Sequence, residues 1–258
     1  MSITTLKRLI DRELSKRLPR VSEKPQILHK AMRYSVFPGG KRIRPIIVLE
    51  ACKTCGGKNH DALAAACAVE LIHTYSLIHD DLPSMDDDDF RRGKPSCHKK
   101  FGEANAILAG DALLTLAFNI LADDLAPKIA VRAIRELSEA AGTHGMVGGQ
   151  VLDIAKYKNI AIINRLKTAK LFEAAAKIGA ICAGASEKKI KAMAGYGANI
   201  GMAFQLADDL TDKKELGISD ASSARREAGQ FIRKAKGGLK IFAAADDLRK
   251  IADLIWNV

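Results

Sequence analysis

Apolar residues recur every three or four positions through most of the chain, which is the spacing of one face of an α-helix. The alternating apolar and polar positions that predict strands are almost absent. Several segments are apolar on most faces and rich in Ala and Gly, as is typical of central helices that pack closely against others; examples are "DALAAACAVELIHTYSLIHDD" and "IKAMAGYGANIGMAFQLADDLTD". We predict one all-α domain over residues 1–258.

Composition and charge narrow the class of protein. Apolar residues make up 48% of 258 residues, which suits a globular chain with a substantial core. No uncharged apolar run approaches the roughly 18 residues of a membrane span, and the first 18 residues lack a signal-peptide core, so we expect a soluble cytoplasmic protein. The net charge of +11 makes nucleic acid, acidic lipid or a phosphorylated small molecule plausible partners, with a merely solvated surface as the alternative. The five cysteines do not suggest a disulfide framework, and the Cys52–Cys55 pair lacks a second pair at zinc spacing.

One acid cluster lies in "LIHDDLPSMDDDDFRRG", residues 77–93, which places six aspartates in ten positions. Asp80 and Asp81 end an apolar helix, Pro83 stops it, and the following turn should bring Asp86 to Asp89 back over its end. Carboxylates are unfavourable at a helix C-terminus, where the macrodipole is negative. A solvated helix end is the simpler interpretation of this cluster taken alone.

A second acid cluster, "FQLADDLTD", closes the last long Ala-rich helix. Asp208 and Asp212 are four apart and share a helix face, and Asp209 lies about 100° round from Asp208. Two clusters at the same unfavourable position each require a counter-ion. Sites made only of oxygen ligands suit hard divalent cations, above all magnesium, which often shares its coordination with substrate phosphates. We therefore predict a magnesium site.

Cations suited to phosphate accompany the acid clusters. "FPGGKRIRP" provides a Gly-Gly turn before Lys41, Arg42 and Arg44, and a turn of this kind at a helix N-terminus is a good anion site. Arg91 and Arg92 directly follow the first acid cluster. Metal and arginine together provide what a diphosphate requires.

Two further residues are less specific. His73 lies two helical turns before the first acid cluster, on the same face, although a lone histidine on such a helix is more often part of the core. Lys167 and Thr168 lie inside the apolar segment "RLKTAKLFEAAA". A lysine there is either at the surface or buried beside an anion.

Together these segments resemble the trans-prenyltransferases, the head-to-tail isoprenyl diphosphate synthases. The two aspartate-rich segments, "GGKRIRP", "GEANAILAGDALLTLAF", "GGQVLDI" and "KTAKL" occur in the family's order, from about residue 30 to 212. The spacing "DDLPSMD" resembles that of bacterial farnesyl diphosphate synthases. The resemblance implies an isoprenoid synthase fold of ten or more helices around a deep central cavity, usually as a homodimer.

The resemblance also implies a reaction and its residues. Isopentenyl diphosphate would condense with dimethylallyl or geranyl diphosphate, with Mg²⁺, to give farnesyl diphosphate. Six aspartates would hold three ions: Asp80, Asp81, Asp86, Asp208, Asp209 and Asp212. Four catalytic residues would bind the allylic substrate: Arg91, Lys167, Thr168 and Gln205. Four others would bind isopentenyl diphosphate: Lys41, Arg44, His73 and Arg92.

Product length is expected to depend on the floor of the cavity. Tyr75 lies five residues before Asp80 on the same helix, and with its neighbour Ser76 it is the predicted chain-length position. A large aromatic side chain would stop a growing chain, which favours a fifteen-carbon over a twenty-carbon product. Ordinary core packing of Tyr75 is the alternative.

The chain departs from the family pattern after "DDLTD". The family continues with a basic, glycine-rich loop, whereas here "KKELGISDASSARREAGQFIRKA" passes almost directly into the next helix; "AKYKNIAIINRLKTAK" is also short. Either the protein is naturally shorter there, or the sequence lacks residues of a loop. The second is favoured because loops over a diphosphate are often mobile.

Four rival functions remain. A geranylgeranyl diphosphate synthase is the twenty-carbon alternative within the family. A class I terpene cyclase would share magnesium, aspartates and an apolar cavity, but it would not need the second diphosphate pocket that "GGKRIRP" indicates. A non-catalytic partner subunit of a prenyl synthase usually lacks an aspartate motif, and this chain keeps both. A nucleic-acid-binding protein would need a recognition module, which the sequence does not show.

Overall fold

The computed structural model describes residues 1–37, 39–215 and 222–256, without the side chains of residues 209, 211–215 and 256. The shortened segment after the second acid cluster therefore lies partly outside the described residues. In chain order the regular elements are helices α1 Ile3–Arg17, α2 Gln26–Val36, α3 Ile43–Thr54 and α4 Asn59–Asp80, strands β1 Phe90–Arg91 and β2 Lys94–Pro95, helices α5 Cys97–Phe101, α6 Glu103–Asp124, α7 Pro127–Ala141, α8 Met146–Ile154 and α9 Ile160–Asn164, a π-helix Arg165–Ala169, helices α10 Lys170–Cys182, α11 Glu187–Glu215 and α12 Ser222–Gly238, a 3₁₀ turn Leu239–Ile241, and helix α13 Asp246–Trp256. The predicted all-α class is confirmed.

Two compact units make up the chain. The first contains Met1–Ile46 and Leu63–Ala130, and the second contains Ile47–Ala62 and the chain from Val131 onward. The division falls inside α3, α4 and α7. The single domain over residues 1–258 stays a prediction.

In the first unit, α1 shows how the helical pattern becomes structure. Ser2 caps the helix, its hydroxyl accepting a hydrogen bond from the backbone N–H of Thr5 at 3.1 Å. The apolar positions spaced four apart are all buried: Leu6, Ile10 and Leu14. At the other end of α1, Arg33 of α2 donates to the carbonyls of Pro19 and Leu18 at 2.7 and 2.9 Å. These bonds satisfy carbonyls that lack partners beyond a helix end.

A short hairpin follows the first acid cluster and was not predicted. Phe90 pairs with Pro95 and Arg91 with Lys94, in antiparallel register. The two residues between the strands have positive φ, 55° for Arg92 and 75° for Gly93. Two-residue loops of this kind match the twist of the strands they join. The hairpin thus carries both arginines of the motif.

The second unit packs around buried aromatic side chains. Tyr196 on α11 is fully buried, and its hydroxyl donates to the carbonyl of Leu248 at 2.7 Å. Phe172 on α10 contacts Phe204 on α11 with ring centroids 5.3 Å apart. Each buried aromatic residue of this size contributes a large apolar area to the core. α10 and α11 are thereby held together where the predicted catalytic residues lie.

The five cysteines are free and buried. Burial raises the pKa of Cys52 to about 12 and that of Cys55 to about 11. Thiols that stay protonated at neutral pH are poor nucleophiles and poor metal ligands. These properties suit structural cysteines.

Two helices, α4 and α6, are long and apolar enough to cross a membrane by length and composition alone. Within each apolar stretch, 72% of the residues of α4 and 39% of those of α6 are buried inside the protein. Core helices of other proteins pass the same test, so this is weak evidence for a span. The predicted cytoplasmic location stays a prediction.

Candidate active site

The end of α4 is built as the sequence predicts. The helix ends at Asp80, and the backbone N–H of Asp86 donates to the Asp80 carbonyl at 2.9 Å. This bond brings Asp86 back over the end of the helix. Asp80 is half-buried and Asp86 is exposed. The turn after Pro83 thus sets both residues at one helix end.

Asp81 has a different environment from its neighbours. It is only 2% exposed, and its Oδ1 accepts hydrogen bonds from both Nε and Nη2 of Arg91, the first at 2.8 Å. Arg91 also donates to Asp88 at 2.7 Å. Burial raises the pKa of Asp81, while the Arg91 guanidinium acts to lower it. In this arrangement Asp81 orients Arg91.

The donors at the end of α4 fit magnesium. Asp80 and Asp86 offer hard carboxylate oxygens, the ligands that magnesium prefers, and the exposure of Asp86 leaves room for water or phosphate. In the second unit, Asp208 is exposed near the C-terminal end of α11. The predicted ligands Asp209 and Asp212 lie on the same helix, but their side chains are outside the described residues.

The predicted residues for isopentenyl diphosphate come together in the first unit. Nη1 of Arg44 lies 3.2 Å from Nε2 of His73. A Cβ on Gly40 would lie 2.9 Å from Nη2 of Arg92, so the guanidinium packs over the glycine turn beside the exposed Lys41. Enclosure in the protein, and then the charges of Arg44 and Arg92, hold the pKa of His73 well below its usual value. A neutral His73 accepts a hydrogen bond from Arg44. The positive charge of the pocket then comes from its arginine and lysine side chains alone.

Arg42 does not belong to this pocket, contrary to its place among the three cations of the glycine turn. Its side chain is fully buried and forms ion pairs with Asp11 at 2.9 Å and Glu70 at 2.5 Å. It also donates to the Val36 carbonyl at 2.7 Å. A buried arginine with two carboxylate partners stabilises the fold, and its complete burial keeps it from a phosphate in the pocket.

In the second unit, a π-helix carries the predicted Lys167 and Thr168. Lys167 is half-buried, and its Nζ donates to Oδ2 of Asp153 on α8 at 2.6 Å. The Thr168 hydroxyl donates to Oε1 of Gln205 on α11 at 2.7 Å. π-Helices of a single turn occur often at functional sites. The structure therefore pairs Lys167 with Asp153, which was not predicted, and pairs Thr168 with Gln205.

A glycine allows α8 to approach this π-helix. A Cβ on Gly149 would collide with the backbone of Lys167. The neighbouring Gln150 is buried, and neither its amide nitrogen nor its amide oxygen has a hydrogen-bond partner among the described residues. The "GGQVLDI" segment thus brings the Asp153 carboxylate within reach of Lys167.

Tyr75 and Ser76 differ in their surroundings. Tyr75 is 6% exposed and meets the ring of His79 edge-on, with centroids 5.8 Å apart. Burial, and then the charge of Asp80, raise the pKa of Tyr75 to about 12. Ser76 is half-buried, and its hydroxyl donates to the His73 carbonyl at 2.9 Å. Tyr75 is thus a bulky neutral group, whereas Ser76 bonds to its own helix.

Sequence reasoning missed three residues that position others: Asp88, Asp153 and His79. Asp153 lies in a segment already quoted for its resemblance to the family, so an acidic residue there could have been paired with the lysine. Nothing in the spacing distinguishes Asp88 from the aspartates on either side of it. His79 falls one turn after Tyr75, which is the only sequence sign of their contact.

The helical fold, the aspartates at the end of α4 and the arginine–histidine pocket define a protein of the all-α isoprenyl synthase class. The chain belongs to the polyprenyl synthetase family, whose profile matches residues 25–247. The family resemblance found in the sequence is therefore confirmed.

Individual relatives carry more than one name. The chain is 46% identical over 233 residues to "Heterodimeric geranylgeranyl pyrophosphate synthase large subunit 1, chloroplastic" of Arabidopsis thaliana, covering 83% of this chain and 62% of that protein. It is 46% identical over 216 residues to the farnesyl diphosphate synthase of Bacillus subtilis, covering 80% and 73%. A crystal structure of an FPP/GFPP synthase from Zymomonas mobilis superimposes with a TM-score of 0.91 at 38% identity, covering 98% of this chain and 97% of that one. The chain thus spans about three fifths of the length of the Arabidopsis relative.

Proposed function

We propose that this chain is a magnesium-dependent prenyltransferase that joins isopentenyl diphosphate head-to-tail to an allylic diphosphate. The observation that carries the proposal is the contact of Arg44 with His73 beside Arg92, in the same unit as the aspartate-rich end of α4. A pocket of guanidinium groups suits a diphosphate, and a carboxylate cluster suits the metal that accompanies one.

Metal binding is assigned to the aspartates. Asp80 and Asp86 would hold magnesium in the first unit, with Asp81 in support through Arg91. Asp208 would do so in the second, with the two other aspartates of its motif. Bound magnesium supplies Lewis acidity that stabilises negative charge on a departing diphosphate. The number of ions, three, is carried over from the family resemblance.

We assign the allylic substrate to residues that can stabilise the negative charge that develops on its diphosphate. When the allylic carbon–oxygen bond breaks, the diphosphate takes both electrons, so cations aimed at it favour the transition state over the bound substrate. Arg91 is held for this by Asp81, and Lys167 by Asp153. Thr168, the residue after Lys167, forms a polar pair with Gln205 of α11.

Isopentenyl diphosphate is assigned to Lys41, Arg44, His73 and Arg92. Its double bond attacks the allylic cation and forms the new carbon–carbon bond, and a proton then leaves the adjacent carbon. By family analogy the departing diphosphate takes that proton. The aspartates act as metal ligands in this proposal and take no part as acids or bases.

The proposed product is farnesyl diphosphate. Supporting this is Tyr75, a buried aromatic residue that contacts His79 one turn before the aspartates. Geranylgeranyl diphosphate is the alternative, because relatives of similar identity bear either name.

A second copy of the chain is the proposed partner. Helix α6 leaves large apolar side chains exposed, including Ile107 at 44% and Leu108 at 55%. Burial of such side chains against another chain is favourable by about 25 cal/mol per Å². Sedimentation of the wild type and of Leu108→Glu tests the proposal: a wild-type dimer that dissociates in the variant supports it, and a monomeric wild type contradicts it.

Incubation with labelled isopentenyl diphosphate, dimethylallyl diphosphate and magnesium tests the activity, with products separated by chain length. We expect a fifteen-carbon product that EDTA abolishes and that Asp80→Asn reduces strongly. A twenty-carbon product would support the prenyltransferase activity but contradict farnesyl diphosphate as the product. Absence of any product from folded protein would favour a non-catalytic subunit, and addition of a catalytic prenyl synthase subunit would then test that role.

A further inference from the structure

His98 has a buried ring nitrogen that the fold does not use. The residue lies in α5 and is 5% exposed, and its Nδ1 is 3.0 Å from the hydroxyl of Ser96. Its Nε2 is buried and has no hydrogen-bond partner among the described residues. More than about 90% of buried polar atoms in proteins have a partner, so an orphan such as Nε2 indicates a bound water or ion.

Two carboxylates lie beside this histidine. Asp87 and Asp89 each offer an oxygen atom, and with a ring nitrogen of His98 these atoms lie within 4.8 Å of one another. In the described part of the chain this is the one such group of His, Cys, Asp or Glu side chains. Because Ser96 occupies Nδ1, Nε2 is the nitrogen available to a ligand. A hydrogen bond from the other ring nitrogen is the usual support of a metal-bound histidine.

We propose that Asp87, Asp89 and His98 form a second metal site, for a transition-metal dication such as Zn²⁺, Mn²⁺ or Co²⁺. An imidazole nitrogen with two carboxylates suits these metals, whereas magnesium prefers oxygen alone. The site shares none of its ligands with the magnesium aspartates Asp80 and Asp86. Zinc–oxygen bonds are about 2.0–2.2 Å, so the two aspartate side chains would have to turn towards a bound ion, and their exposure leaves them room to do so.

Lys99 is the competitor for this site. Its Nζ lies 2.7 Å from Oδ1 of Asp89, and both side chains are well exposed, at 43% and 60%. Exposed ion pairs of this kind stabilise a protein little, so a dication can compete with the ammonium group for Asp89. The second oxygen of Asp89 stays available even with Lys99 in place.

A metal bound at this site would affect the hairpin formed by β1 and β2. The backbone N–H of Ser96 donates to the Asp89 carbonyl at 2.9 Å, which closes the base of the hairpin. Two ligands precede the hairpin in sequence and His98 follows it. A bound metal would therefore cross-link the two ends of the segment that carries Arg91 and Arg92 and reduce its opening.

Cobalt titration of the full-length protein tests the proposal, since Co²⁺ held by fewer than six ligands absorbs visible light much more strongly than six-coordinate Co²⁺. The variants are Asp87→Asn, an exposed change that leaves the core intact, and His98→Gln. The double variant Asp80→Asn/Asp86→Asn removes the magnesium cluster, and Asp123→Asn controls for the loss of an exposed carboxylate elsewhere. Hydrogen exchange of residues 89–98 is measured with and without the metal.

We expect visible bands in the wild type, about 10- to 100-fold weaker binding in Asp87→Asn and in His98→Gln, and unchanged binding in the double variant and the control. Exchange of the hairpin should slow with metal. Binding that survives in Asp87→Asn or in His98→Gln, or that disappears in the double variant, would overturn the proposal. So would a wild type that binds no Co²⁺ with visible bands.

Discussion

Arg91 donates two hydrogen bonds to a single oxygen atom, Oδ1 of Asp81, and a third to Asp88. Asp81 is buried and therefore fixed, whereas Asp80 and Asp86 are more accessible. Adjacent aspartates of one motif thus have different surroundings. We infer that Asp81 positions Arg91 and that its neighbours bind the metal.

The variant Asp81→Asn tests this division. Asparagine keeps the shape of the side chain but loses the charge that holds Arg91, so we expect kcat to fall by about tenfold. The magnesium concentration that gives half-maximal rate should stay within about twofold if Asp80 and Asp86, and not Asp81, bind the metal. In Asp80→Asn the same concentration should rise by at least about tenfold. Equal magnesium dependence in the two variants would contradict the assignment.

The ion pair between Lys167 and Asp153 gives a second prediction. In Asp153→Asn, Lys167 loses the charged partner that fixes its ammonium group, and for a partly exposed ion pair, worth up to about 1 kcal/mol, kcat/KM for the allylic substrate should fall by up to roughly fivefold. Lys167→Met removes the cation itself and should cost about 10²–10³ in kcat. Glu139→Gln, an exposed change on α7, is the matched control. An unchanged kcat/KM in Asp153→Asn would show that the pair has no role in catalysis.

The size of Tyr75 predicts the product. Tyr75→Ala removes the aromatic ring at this position, so we expect a shift from fifteen- towards twenty-carbon product, measured by chromatography of the labelled lipids. The same change should lower the free energy of unfolding by about 3 kcal/mol, because the ring is buried. Tyr75→Phe keeps the ring, and since the hydroxyl has a pKa of about 12 its loss changes no charge. If Tyr75→Ala and Tyr75→Phe gave the same product pattern, this would contradict the proposal that Tyr75 forms the cavity floor that limits product length.

The lowered pKa of His73 predicts a dependence of stability on pH. The folded protein keeps His73 neutral, whereas the unfolded chain takes up a proton near pH 6.5. The free energy of unfolding should therefore fall as pH decreases below about 6.5, with a contribution from His73 of up to about 1.4 kcal/mol per pH unit. Above that pH both states are neutral and the contribution is flat.

Denaturant unfolding of His73→Gln between pH 5 and pH 8 measures this contribution. Glutamine can still accept from Arg44, so the variant should fold and lose stability less steeply at acid pH than the wild type. His144→Gln, a change at an exposed histidine, should leave the wild-type slope in place. Identical slopes in the wild type and His73→Gln would contradict the pKa shift.

The helical class and the end of α4 could be predicted because they follow from local rules. Apolar spacing fixes a helix, and a proline after Asp81 forces the turn that returns Asp86 to Asp80. The residues predicted to bind isopentenyl diphosphate were chosen through the resemblance to the family. The structure then placed Arg44, His73 and Arg92 close together.

Other features depend on contacts that no local pattern contains. Arg42 and Arg44 look alike in sequence, but Arg42 has a positive φ of 54° and forms ion pairs with residues on two other helices. The π-helix at Lys167 inserts an extra residue into a turn, which a period of 3.6 does not reveal. The strand that carries Arg91 and the strand that pairs with it are each two residues long, which is too short for an alternating pattern.

Each unit contains buried cysteines whose reaction with an alkylating reagent shows when that unit unfolds locally. Cys67 and Cys97 belong to the first unit and Cys182 to the second, and burial raises the pKa of all three. Only a thiolate in contact with solvent is alkylated at an appreciable rate. The order in which a reagent modifies these sulfur atoms therefore records which part of the chain opens first. The native protein can be followed in this way without an added label.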